Sequence, residues 1–90
     1  MDNKFILSKY IESAMQSAAY DKFEDNSYAG KIESCIGVIA FGKTLKECES
    51  ELQSVLEDWI LLGLKLKHSL PIIKGIDLNI KPEYEQLDTV

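Results

Sequence analysis

The side chains that could do acid–base or metal chemistry in this chain are carboxylates, and they follow no regular spacing. Asp21, Glu24 and Asp25 lie near a predicted turn, whereas Asp77 lies in a predicted strand much later in the chain. Carboxylates gathered in one place could hold the metal ions of a nuclease. Carboxylates scattered over a half-exposed sheet are more often solvated surface charges. We therefore predict no catalytic residue. The less favoured alternative is a residual metal-dependent nuclease activity that uses carboxylates near Asp21 and Asp77.

Sulfur and nitrogen ligands are equally sparse. The chain has two cysteines, Cys35 and Cys48, and one histidine, His68. Four zinc ligands cannot be assembled from these residues without recruiting carboxylates. We expect Cys48 to be a small buried side chain, Cys35 a loop thiol and His68 a surface residue. The glycine patterns of phosphate and dinucleotide sites do not occur, so the sequence predicts no metal and no cofactor.

The charge balance is the most informative feature of the composition. Fifteen Asp and Glu residues outnumber ten basic residues, the formal net charge is −5, and all ten basic residues are lysine. Proteins that bind nucleic acids usually cluster basic charge and use arginine to contact phosphates and bases. Direct binding to DNA or RNA is therefore disfavoured, and a basic protein partner fits better. The polar face of the longest predicted helix offers a possible partner surface at Glu49, Glu57 and Asp58.

A short apolar strand leads into the longest amphipathic helix in the stretch from Gly37 to Pro71. Thr44 is a typical N-cap, and Glu47 three residues later completes a capping box. Gly63 predicts the end of this helix, and the proline prevents its continuation. The glycines that flank the strand fit turn geometry. Apolar residues at three- and four-residue steps predict one buried stripe: Leu45, Cys48, Leu52, Val55, Leu56 and Trp59.

The rest of the chain shows helical and strand periodicity in turn. Residues 3–17 place apolar side chains on one face and predict a shorter first helix. Two strands, residues 19–24 and 28–33, flank the sequence Asp25-Asn26-Ser27, which has the composition of a tight turn. With the strand at 38–41 they form an antiparallel meander, because the links are too short for crossovers. Alternation over residues 76–81 predicts a fourth strand, so the order is α-β-β-β-α-β, an α+β fold.

Ninety residues make one domain, which we place at residues 1–81, followed by a flexible acidic tail at 82–90. No apolar run approaches the roughly 20 residues of a membrane span, and the first residues lack a signal-peptide pattern. We therefore expect a cytoplasmic protein without a membrane segment. An exposed strand edge and an apolar first helix predict a homodimer or a higher even oligomer.

The stretch from Tyr28 to Ile73 resembles the HicB family of antitoxins. The resemblance rests on a strand ending in glycine, a glycine-x-threonine entry into a helix with a tryptophan, and an exit through glycine towards proline. The matching positions are Gly37, Gly42, Thr44, Glu47, Trp59, Gly63 and Pro71. Cys48 stands where the family usually has alanine. Nothing after the last predicted strand resembles the C-terminal DNA-binding module of many members, so the match is to the compact form.

The resemblance implies both a function and a partner. HicB proteins are the antitoxins of a type II toxin–antitoxin system, and their partner HicA is a small basic ribonuclease that cleaves mRNA. We therefore expect an antitoxin, not an enzyme, that neutralises a HicA-like toxin by occluding it, in agreement with the acidic composition. The alternative is an orphan HicB-like protein that self-associates and serves as an adaptor without a toxin. Operator binding is not implied, because the module that performs it is missing.

Overall fold

Two helices and three strands follow one another in the order that the local periodicity predicts. The computed structural model describes residues 3–79. Its elements are α1 (Asn3–Gln16), β1 (Ala18–Lys22), β2 (Tyr28–Ile32), β3 (Ile39–Gly42) and α2 (Leu45–Lys65). The chain therefore has the predicted α+β fold. The predicted tail at 82–90 lies outside the described residues.

The three strands form one antiparallel sheet in the order β1-β2-β3. β1 and β2 are joined by the predicted tight turn. In it the Asp25 carboxylate accepts hydrogen bonds from the N–H of Ser27 at 3.0 Å and from its hydroxyl at 2.6 Å. These bonds, the hydroxyl's most of all, lower the pKa of Asp25. Asn26 has a φ of 72°, a left-handed conformation that asparagine tolerates better than most residues.

The core lies between one face of the sheet and the two helices. Tyr10 and Ala14 of α1 belong to the same buried cluster as Ile32 and Ala40 of the sheet, and the other buried members are Cys35, Val38, Leu52, Leu56, Ile60, Leu70 and Ile73. The predicted stripe of α2 therefore faces the core, with one exception. Leu45, in the first turn of α2, is 47% exposed and does not belong to the buried cluster.

The start of α2 is capped much as the sequence predicts. The Thr44 hydroxyl accepts a hydrogen bond of 3.0 Å from the N–H of Glu47. The Glu47 carboxylate reaches back in turn, but it accepts from the N–H of Lys43 at 2.7 Å and not from that of Thr44. The box is thus shifted by one residue at its second bond. The Thr44 bond satisfies one of the N–H groups that a helix start leaves without partners, and the Glu47 bond closes the turn just before the helix.

The end of α2 corrects the prediction for Gly63. The helix continues to Lys65, and Lys67 just beyond it has a φ of 60°. The N–H of Lys67 donates to the carbonyl oxygen of Leu64 at 3.2 Å, and that of His68 donates to the carbonyl oxygen of Gly63 at 2.8 Å. This pair of bonds is the Schellman motif, in which the left-handed residue is usually glycine. Here a lysine takes that position, so the sequence pattern pointed to the wrong residue.

Gly63 lies at a packed position and does not end the helix. It is buried in the last turns of α2. A Cβ atom at this position would lie 2.7 Å from Cδ2 of Leu70, a core residue in the segment that follows the helix. The missing side chain leaves room for Leu70 where the chain folds back against α2.

Gly42 also has a different role from the predicted turn geometry. It is the last residue of β3, and a Cβ atom there would lie 2.4 Å from the backbone nitrogen of Cys48 in α2. The start of the helix passes directly over the strand that precedes it. By contrast, Gly37 has a φ of 98° with open space around it, as expected of a turn glycine.

The segment after α2 is held by a side chain and not by a strand ladder. The Asn79 amide donates to the carbonyl oxygen of Leu70 at 3.0 Å and accepts from the N–H of the same residue at 2.8 Å. Asp77 accepts a further bond of 2.9 Å from the N–H of Asn79. The fourth strand predicted over 76–81 is described only as far as Asn79. Over that part the backbone makes one isolated antiparallel bridge, between Ile76 and Ile73.

Candidate partner-binding surface

A groove with a volume of about 600 Å³ lies between α1 and α2. We call it the acidic groove. Its floor contains Ile11 and Met15, two of the partly buried apolar residues that pack against the core. The residues that line it on α1 and α2 are Ser8, Ile11, Glu12, Met15, Gln16, Glu49, Gln53 and Glu57. The groove exists because the apolar stripes of the two helices converge on the core while their polar flanks diverge.

Three carboxylates line the acidic groove, from Glu12 on α1 and from Glu49 and Glu57 on α2. The amide of Gln53 donates to the Glu57 carboxylate at 3.1 Å, a neutral contact that leaves its charge in place. Lys9 lies 3.9 Å from the Glu12 carboxylate in an exposed pair, a separation worth little in water. Over residues 3–79, no lysine forms an ion pair with Glu49 or Glu57. The groove therefore presents negative charge to whatever enters it.

The three predicted partner-surface residues do not form one patch. Glu49 and Glu57 both line the acidic groove and are two helical turns apart. Asp58 is exposed but is not among the lining residues. Since successive helical residues are rotated by about 100°, Asp58 faces away from Glu49 by about 180°. The structure thus groups two of the three and adds Glu12, which sequence periodicity could not link to α2.

Trp59 lies on the other flank of α2 from the groove. Val55, Trp59, Leu62 and Leu66 recur at four-, three- and four-residue steps and so share a stripe. Trp59 and Val55 pack partly against the core, whereas Leu62 and Leu66 are more than half exposed. The tryptophan therefore stabilises the scaffold and has no place in the acidic groove.

Tyr20 of β1 lies next to the start of α2. Its ring occupies the space over Gly30, where a Cβ atom would lie 2.8 Å from Cε1 of the tyrosine. Its hydroxyl oxygen is buried and makes no hydrogen bond. Burial raises the pKa of Tyr20, and the Glu49 carboxylate raises it further, with a smaller contribution from Cys48. Gly30 was not among the residues predicted to matter. A lone glycine inside a strand is nevertheless the signal for the close approach of another group, here the Tyr20 ring.

Both cysteines are fully buried and free. Cys48 is the small helix residue that the sequence predicts, and its thiol points to the carbonyl oxygen of Ala40 at 3.7 Å. Cys35 lies in the turn between β2 and β3, as predicted, but it belongs to the core. Burial raises the pKa of both thiols. Neither is therefore suited to nucleophilic chemistry.

The carboxylates of the nuclease alternative lie on different sides of the sheet. Asp21 alternates with Tyr20 along β1, so it projects from the face away from the helices. Asp77 accepts hydrogen bonds from Asn79. Its carboxylate is also near enough to the buried Tyr10 to raise the pKa of that tyrosine. Within residues 3–79, no group of three His, Cys, Asp or Glu side chains is placed to hold a metal ion. His68 is exposed, as predicted.

The fold and the acidic groove define a small α+β domain with a negatively charged groove between its two helices. The chain belongs to the UPF0150-like family, whose sequence model matches residues 9–71. It is similar to TTHA0281 from Thermus thermophilus, with 38% sequence identity and a TM-score of 0.76. That likeness covers 84% of this chain and 95% of the other. Among curated proteins none matches. None of the helices described is long and apolar enough to span a membrane.

Proposed function

We propose that this protein is an antitoxin that binds and neutralises a small basic HicA-type toxin by covering its surface. Two lines of evidence support the proposal. The stretch from Tyr28 to Ile73 carries the motif residues of HicB antitoxins, and it lies largely within the residues matched to the UPF0150-like family. The acidic groove supplies the second line, because it presents unneutralised carboxylates at a site large enough for side chains of a partner.

The acidic groove is the observation that carries the proposal. Carboxylates of Glu49 and Glu57 stand beside the apolar side chains of Ile11 and Met15. Lysine and arginine combine the same two properties, an apolar stem and a cationic head. A basic side chain from a partner could pack its stem on the apolar floor and place its head between the carboxylates. Charge-assisted hydrogen bonds of this kind are stronger than neutral ones, and arginine makes them bidentate.

Charge complementarity also explains why occlusion needs no catalysis. An mRNA-cleaving protein must hold the phosphate backbone with positive charge. An acidic antitoxin that occupies the same basic surface excludes RNA by competition, and its net charge of −5 speeds the encounter. Inhibition is then stoichiometric, one antitoxin surface for each toxin surface.

Binding to a purified small basic protein of the HicA type, taken from a neighbouring gene where there is one, tests the proposal. The variant Glu49→Lys/Glu57→Lys should weaken binding by at least about 10-fold, since each reversal replaces an attraction with a repulsion. Asp58→Lys with Glu51→Lys is the matched control, because it makes the same charge change away from the groove. Growth rescue on co-expression should follow the same order. Failure of the wild-type protein to bind or to rescue growth would refute the proposal.

The absence of any short basic gene beside this one would favour the orphan adaptor instead. Equal losses in the two charge-reversed variants would show that only net charge matters. The acidic groove would then not be the binding site.

A further inference from the structure

The face of the sheet away from the helices is not covered by any residue of the described chain. Side chains alternate along a strand, so this outer face carries every second residue of each strand. On β3 these are Ile39 and Phe41, which are 50% and 63% exposed. The register places Phe41 beside Ala29 of β2 and Ile39 beside Lys31. Two large apolar side chains therefore lie together at the margin of the outer face.

β3 is also an edge strand, with a neighbour on one side only in the described sheet. The N–H of Ile32 donates to the carbonyl oxygen of Val38, which fixes the alternation of the β2–β3 ladder. Ala40, opposite Gly30, then directs its N–H and carbonyl toward β2. Ile39 and Phe41 direct theirs toward the open edge. The residues that carry the exposed apolar side chains thus also carry the backbone groups without a strand partner.

Open edges are usually protected against pairing by charged residues, proline or a bulge. β1, the other edge, contains Asp21 and Lys22. β3 has the sequence Ile39-Ala40-Phe41-Gly42, with no charge and no proline. Its ladder with β2 is unbroken from Tyr28 to Lys31. The edge at β3 therefore carries no charge, proline or bulge that would prevent pairing.

The distribution of charge over the surface indicates which partner can pair with the β3 edge. α2 carries five acidic residues and two lysines, and the acidic groove lies on its α1 side, so a second copy of the chain is repelled at the groove. On the outer face of the described strands the charged residues are Lys31 and Asp21, one of each sign. An acidic chain can approach its own copy at this balanced face.

We propose that β3 pairs antiparallel with β3 of a second copy, to form a six-stranded sheet across a two-fold axis. A register centred on Ala40 places Ile39 opposite Phe41 of the second copy, and Phe41 opposite Ile39. The edge-directed N–H and carbonyl groups of these residues then face one another and form four hydrogen bonds. All four apolar side chains become neighbours on the outer face. This assembly does not depend on a toxin partner.

The mass of the full chain in solution tests the inference. At a concentration of about 100 µM, light scattering should give twice the chain mass of 10.2 kDa. The variant Ile39→Lys/Phe41→Lys should weaken association by about 100-fold, because it places like charges at the centre of the interface. Ser50→Lys/Leu61→Lys is the matched control, since both residues are exposed on α2 and lie away from the flank that carries Trp59. The control should remain a dimer.

Amide hydrogen exchange identifies the occupant of the edge. In the dimer the N–H groups of Ile39 and Phe41 should be protected like that of Ala40, and dilution should remove their protection alone. A wild-type monomer at every concentration would overturn the inference, as would a dimer that survives the Ile39→Lys/Phe41→Lys change. Protection in a monomer would assign the edge to another segment of the same chain. Dissociation of the α2 control would move the interface to the helix.

Discussion

The hydroxyl of Tyr10 donates a hydrogen bond of 2.7 Å to the carbonyl oxygen of Pro71, 61 residues away in the chain. It connects α1 to the segment that follows α2, and Tyr10 itself is fully buried. Tyr10→Phe keeps the ring and leaves that carbonyl without its tyrosine donor, so we expect a loss of about 1–2 kcal/mol in the free energy of unfolding. Urea denaturation measures it. Ser17→Ala, which removes a local hydroxyl bond to Ala14, should cost less.

The same tyrosine predicts how stability depends on alkaline pH. Burial raises the pKa of Tyr10 to about 12, with smaller contributions from Cys35 and Asp77. Above pH 10 the unfolded chain loses this proton while the folded chain keeps it. The stabilisation is therefore complete below pH 10 and is lost as the pH rises to about 12, by up to about 2 kcal/mol. Denaturation at a series of pH values should show this fall, and Tyr10→Phe should reduce its slope. An unchanged slope would contradict the assignment.

Tyr20 should behave in the opposite way from Tyr10. Its hydroxyl oxygen is buried without a hydrogen-bond partner, so removing it from water destabilises the folded state. Tyr20→Phe keeps the ring over Gly30 and should leave stability unchanged or raise it by about 1 kcal/mol. Thermal denaturation of the two tyrosine variants side by side makes the comparison. A Tyr20→Phe loss as large as that of Tyr10→Phe would show that the hydroxyl has a partner in solution.

The secondary structure was largely predictable because its signals are local. The tight turn at Asp25-Asn26-Ser27, the Thr44 cap and the stripe of α2 each depend on residues within a few positions of one another. Backbone hydrogen bonds and helical periodicity act over the same range. These elements were therefore placed correctly from residue order alone.

The roles of single glycines and of the acidic groove were not predictable in this way. Gly63 looked like a helix end because glycine favours that position, but in the structure it contacts Leu70, which reaches it only through the tertiary fold. Glu12 and Glu49 share a groove because two helices pack side by side, and no spacing in the sequence expresses that packing. The Asn79 amide bonds to Leu70 are non-local for the same reason.

Gly42 gives a prediction about the close packing of α2 on β3. A Cβ atom there would lie 2.4 Å from the backbone nitrogen of Cys48, and a helix backbone cannot move aside as a flexible side chain does. Gly42→Ala should therefore lower the free energy of unfolding by about 3 kcal/mol or prevent folding. Gly37→Ala is the control, because its φ of 98° costs about 1–2 kcal/mol in an open site. Equal effects in urea denaturation would contradict the packing explanation.

The cap of α2 gives the last prediction. Thr44→Ala removes the acceptor for the Glu47 N–H, and we expect a loss of about 1 kcal/mol in the free energy of unfolding. Thr44→Ser keeps the acceptor and should be nearly neutral. Glu47→Ala removes the bond to the Lys43 N–H and a favourable charge in the first turn, so it should cost about 0.5–1 kcal/mol.

The Thr44 and Glu47 side chains bond to neighbouring N–H groups in one turn. Their contributions to the free energy of unfolding should therefore not be additive. A double-mutant cycle on Thr44→Ala and Glu47→Ala should give a coupling energy above about 0.5 kcal/mol. Glu51→Ala, on an exposed position one turn further along α2, is the control and should change stability by less than about 0.5 kcal/mol. Additive losses at Thr44 and Glu47 would show two independent contacts in place of a box.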